Sequence, residues 1–170
     1  MGALSVPVRL TLAESGAAAL AEAARDLDDA DDARKFLAAL ENNHKLWLIL
    51  SDLAERYAWD FPDRRLAEYV TTTSRKAGFG VQDEEVATLV QINRNVSSKM
   101  AQGRDIELIA RRARLAWQEN GRPGCQSLED WLIAEIERKS KLSSSLPTVA
   151  VLAAVTKGVG APARQGAYAT

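Results

Sequence analysis

The chain predicts an all-α protein: a compact helical bundle, an appended C-terminal helical hairpin and a flexible tail. Three observations predict it. Apolar residues recur at spacings of three and four through residues 36–57 and 86–100. No segment alternates apolar and polar residues with period two, so no sheet is expected. Capping and stop residues (Asp, Gly, Pro) fall between the periodic stretches rather than within them.

The elements follow in order. Residues 1–13 read as an irregular arm, and an alanine-rich helix runs from about Glu14 to Leu27. Its small side chains permit close helix approach but bury little area. Asp28, Asp29, Asp31 and Asp32 form a negative cluster that suits the positive dipole end of the next helix, about Asp31 to Tyr57. Pro62 suits the first turn of a third helix, which continues to about Lys76 with Leu66, Tyr69, Val70 and Thr73 on one face. Gly78 and Gly80 end it, and Asp83 opens a fourth helix that reaches Met100 before Gly103. These elements make a first unit, residues 14–103.

A second unit, residues 104–139, is read as a helical hairpin. Asp105 caps a helix carrying Ile106, Ile109, Ala110, Ala113, Ala116 and Trp117, and Asn120-Gly121 stops it. After the Pro123-Gly124 turn, Ser127 with Asp130 resembles a capping box before Leu128, Trp131, Leu132 and Ile136. A hairpin of this size is too small to be firmly stable alone, so it is expected to dock on the first unit or on a partner. From Ser140 the serine run, Pro147, Gly158, Gly160 and Pro162 favour a disordered tail, residues 140–170, in which Val149 to Val155 is apolar enough to dock.

Two asparagines interrupt the apolar stripes. The first stripe runs Phe36, Leu40, Trp47, Leu50, Ala54 and Tyr57, and Asn43 occupies its missing position. The second runs Val86, Leu89/Val90, Val96/Ser97 and Met100, and its missing member is Asn93. A buried amide without a partner costs about 1–3 kcal/mol. The two amides are therefore expected to bond each other, a helix backbone or a partner chain. One reading is a polar pair that fixes helix register. The other is a polar element in a groove holding another protein's helix.

Composition argues against several function classes. Net charge is −1, with 46% apolar and 26% charged residues, a soluble globular balance rather than a polyelectrolyte binder. Residues 1–103 carry net −4 and residues 104–170 net +3. The latter includes Arg111, Arg112, Arg114 and Arg122, candidate contacts to nucleic acid. A single cysteine, Cys125, rules out an intrachain disulfide and fits a reducing compartment. The lone histidine, His44, lies off the core stripe beside no nucleophile, and no catalytic, cofactor or metal site is expected. Glu84-Glu85 and Glu129-Asp130 are adjacent in sequence and diverge on a helix, so neither makes an acid/base dyad. No signal peptide or bilayer-spanning run is read, which makes the cytoplasm the expected location.

The run Ala39-Leu40-Glu41-Asn42-Asn43-His44-Lys45-Leu46-Trp47 resembles the "AL..N..LW" segment of the flagellin synthesis regulators called FlaF. Leu66, Tyr69-Val70 and then Val86, Leu89-Val90-Gln91-Ile92-Asn93 resemble that family's "L…FV … LI.IN" pattern, and Phe61-Pro62 falls at its Leu-Pro. The likeness covers about Arg25 to Gly103. The family's Gly-Leu ending is replaced by Ser98-Lys99-Met100. The resemblance implies a cytoplasmic, non-enzymatic helical protein that adjusts flagellin synthesis, binds flagellin in a chaperone-like way and works beside a FlbT-like regulator. Asn43, Trp47 and Asn93 are its candidate interaction or buried polar residues. The second unit resembles a small uncharacterised proteobacterial domain with the pattern "IA..A..LW...GRP.G...DW..AE", here Ile109-Ala110, Ala113, Leu115-Ala116-Trp117, Gly121-Arg122-Pro123, Asp130-Trp131 and Ala134-Glu135. Two alternatives to the flagellar role stand beside it: a translation-associated RNA-binding adapter, and a diverged helical protein-interaction module.

Overall fold

A computed structural model describes residues 9–60, 62–76, 79–120 and 127–145. Among them the chain forms six helices and no strand: α1 (Leu12–Asp29), α2 (Ala33–Arg56), α3 (Arg64–Arg75), α4 (Asp83–Met100), α5 (Ile106–Glu119) and α6 (Leu128–Ser145). They pack as an all-α bundle. None is long and apolar enough to cross a membrane.

The alanine-rich α1 is the centre of this bundle. Ser15 through Leu20 are all buried, and Ala23, Ala24 and Leu27 continue the burial. Small side chains on every face let neighbours approach from all sides. A Cβ built on Gly16 would lie 2.5 Å from Met100 Cε of α4 and 3.4 Å from Leu50 Cδ2 of α2. The Ser97 hydroxyl of α4 donates to the Ala17 carbonyl at 2.7 Å, a side-chain bond onto the backbone that only close helices allow. α1 also begins two residues before the sequence reading placed it. Thr11 and Glu14 form a capping box: Thr11 Oγ1 accepts from Glu14 N at 3.1 Å, and Thr11 N donates to Glu14 Oε1 at 3.0 Å.

The other helix ends have plain causes. Asp32 caps α2 by accepting from Lys35 N at 2.8 Å, so the aspartate cluster is in part a helix start. Asp63 and Asp105 cap α3 and α5 in the same way. Asp83 lies in the first turn of α4, and the N-cap itself is Gln82. Ser127 Oγ accepts from Asp130 N at 3.1 Å, which starts α6. α6 then runs through Ser145, past the point at Ser140 where the composition suggested a tail. Residues 146–170, including Val149 to Val155, lie outside the described residues.

Residues 1–137 group as one unit by internal contact and residues 138–170 as another. Within the first, one apolar core takes in Leu20, Leu40, Trp47, Leu50 and Leu89 together with Ile109, Ala113, Leu132 and Ile136, so the hairpin helices and the first four share it. α5 is tied to α1 by charge: Arg112 reaches Glu14 at 2.7 Å and Arg114 reaches Glu22 at 3.5 Å.

Candidate functional site

The two interrupted stripes meet. α2 buries Leu40, Asn43, Leu46, Trp47, Leu50 and Leu53, while Ala54 and Tyr57, expected on the same face, are only half buried. α4 buries Leu89, Val90, Asn93, Val96, Ser97 and Met100. Asn43 and Asn93 have no exposed surface, and their amides bond each other: Asn93 Nδ2 donates to Asn43 Oδ1 at 2.7 Å. At one end, Trp47 Nε1 donates to Asn93 Oδ1 at 2.8 Å. At the other, Asn43 Nδ2 donates to Ser74 Oγ of α3 at 2.9 Å.

Trp47 sets the direction of this relay. An indole N–H can only donate, so the oxygen of Asn93 must face it. That turns the Asn93 amide nitrogen toward Asn43, which in turn turns its own nitrogen toward Ser74. Three helices are thereby locked in one register by neutral groups. Of the two readings of the asparagines, the one in which they bond each other is what the fold contains. With both amides fully enclosed, neither is exposed to a guest helix.

Ser74 is the member that sequence reasoning missed. Its signal is the spacing Ala67, Val70, Ser74, an i, i+3, i+7 face. Tyr69, assigned to that face from the sequence, is 39% exposed. His44 sits at the flank, half buried, with Nδ1 3.1 Å from the Thr71 carbonyl oxygen. A carbonyl only accepts, so that contact puts the proton on Nδ1.

Beside the relay, α2, the following link and α3 enclose a groove of about 570 Å³. The cause is local. α2 ends in a Schellman turn, with Trp59 N donating to Ala54 O at 2.9 Å and Ala58 N to Glu55 O at 3.3 Å. Ala58 takes the left-handed conformation, φ 52°, where glycine is usual, at a cost of about 1–2 kcal/mol. The turn carries Trp59 back against Tyr57, ring centroids 6.1 Å apart and planes at 25°. Leu48, Ala54, Trp59, Pro62 and Ala67 supply apolar lining, and Glu55, Asp60, Asp63 and Glu68 an acidic rim in which Arg64 is the one base among the described residues. Leu48 is 48% exposed.

Two of the four candidate arginines are engaged by carboxylates of α1. Arg112 donates to Glu14 and to the Arg9 carbonyl, and Arg114 pairs with Glu22. Arg111 is exposed, while Arg122 and Cys125 lie outside the described residues. Glu14 itself is buried. Burial alone would raise its pKa, but the Thr11 hydrogen bonds and the charges of Arg112 and Arg104 outweigh it and hold the carboxyl below its ordinary value. Among the described residues no group of three or more His, Cys, Asp or Glu is placed to hold a metal.

A family model described as a protein of unknown function, DUF2934, matches residues 106–137, the span of α5 and most of α6. No curated protein and no solved structure matches the chain.

Proposed function

We propose that this protein is a non-enzymatic regulator of flagellin synthesis that binds an amphipathic assembly helix of flagellin in a chaperone-like way. The α2–α3 groove is the receiving surface. One observation carries the reading: Asn43, Trp47 and Asn93, the residues at the heart of the FlaF-like pattern, join in one relay that fixes α2, α3 and α4, and a groove with apolar lining and an acidic rim lies beside it. An amphipathic helix recognises such a surface by apolar anchors at i, i+3 and i+4. The rim favours a guest whose apolar face is flanked by Lys or Arg, and steers its approach. The amides act from inside, by holding the groove's walls.

The test is a titration of the full chain with a flagellin terminal segment at micromolar concentration, followed by tryptophan emission, since Trp59 lines the groove. A saturable emission change is expected in the parent protein. Leu48→Asp, at a half-exposed position in the groove lining, should weaken it at least tenfold. If emission does not respond and pull-down recovers no flagellin, the reading is overturned.

A further inference from the structure

Glu129 stands in the first turn of α6 and is 2% exposed. Among the described residues, no N–H or O–H donor reaches either of its carboxyl oxygens. Among the described residues the charged groups acting on it are acidic: Asp26 and Glu22 from α1, and Asp130 beside it on α6. Arg25 and Arg114 stand 3.7 and 3.5 Å from Glu22, so those cations serve that carboxylate. An ionised Glu129 would thus be desolvated among like charges, a penalty of several kcal/mol. The helix dipole at the start of α6 returns at most about 2 kcal/mol to a buried anion, too little to offset it. A neutral acid has the opposite balance. It carries an O–H to give, and Asp26, half buried and within hydrogen-bonding reach, accepts it.

We propose that α6 docks on α1 through a proton-linked latch: Glu129 enters the core as a carboxylic acid donating to Asp26, and its ionisation releases the first turns of α6, uncovering Trp131 and Leu132. Burial first, then the bond to Asp26, then the charges of Asp26, Asp130 and Glu22 push the Glu129 pKa up to about 10. The sign follows. A carboxyl with its folded pKa above its unfolded one supports docking fully below the ordinary carboxyl range. That support declines as pH rises through neutrality and is spent once pH passes the folded pKa. Within this window the docking constant falls about tenfold per pH unit, one proton being linked.

Hydrogen exchange of α6 amides in the full chain reads this directly. From about pH 6 to about pH 9, protection factors in the parent protein should fall about tenfold per pH unit. In Glu129→Gln, which keeps a donor for Asp26 and cannot ionise, they should stay level. Parallel profiles in the two proteins overturn the latch. Should the variant fail to fold, the parent alone decides. Urea unfolding at about pH 8, followed with an indicator dye, should release about one proton per chain, and release of none overturns it.

Discussion

Glu14 and Glu129 are both buried glutamates, 3% and 2% exposed, and the molecule treats them in opposite ways. Glu14 meets the Thr11 backbone N–H, Arg112 at 2.7 Å and Arg104 at 3.3 Å, and its pKa is lowered. Among the described residues Glu129 meets no donor and faces other acids, and its pKa rises to about 10. Desolvation pushes both carboxyls upward; at Glu14 the Thr11 hydrogen bonds and the two arginines outweigh it, whereas at Glu129 it leads and the neighbouring acids add to it. The Asn43–Asn93 relay is a third solution, in which the buried groups are neutral and each supplies a donor to the next, leaving nothing for pH to titrate.

The largest effect should come from breaking the neutral solution. Asn93→Leu removes the acceptor of the Trp47 N–H and the donor to Asn43, leaving two buried groups unpaired at a cost of about 3–4 kcal/mol in urea unfolding. A loss below about 1 kcal/mol would mean that water or neighbours satisfy those groups and the relay is dispensable.

Glu14→Gln comes next. It should cost about 2 kcal/mol at neutral pH, because Arg112 loses its carboxylate and the capping box weakens. The pH dependence sharpens the contrast with Glu129. A lowered folded pKa gives stability that is present above the ordinary carboxyl range and lost as pH falls through the folded value. The parent protein's acid loss should therefore be shallower in Glu14→Gln, whereas Glu129→Gln should alter only the neutral-to-alkaline side. Acid denaturation curves of the two variants separate these outcomes.

The smallest effect tests which donors hold Glu14. Arg104 is 59% exposed and Arg112 37%. Arg104→Ala should therefore cost no more than about 0.5 kcal/mol in thermal unfolding, with Arg112→Ala the larger loss.

Much of this architecture is legible in the chain because the deciding signals are local. The three-and-four spacing gave α2 and α4 their inner faces, and the two asparagines stood out because they interrupt those faces. Most of what escaped was set by long-range packing. The close approach that alanine permits in α1 is legible, but not which partners use it: Met100 and Ser97 of α4 come against it only in the fold. The Thr11-x-x-Glu14 box was in plain view one turn before the expected start. Ser74 lay within a Thr/Ser run whose facing depends on α2. Glu129 reads from the sequence as one of two adjacent carboxylates that diverge on a helix, and only the fold brings Asp26, distant in sequence, against it.

The relay between α2 and α4 is tested most directly by a double-mutant cycle on Asn43→Ala and Asn93→Ala, read by urea unfolding. Each single change strands the other amide, so the double variant should be at least about 1 kcal/mol more stable than the sum of the two losses predicts. Strictly additive losses would mean that the two side chains do not meet, and would contradict the account.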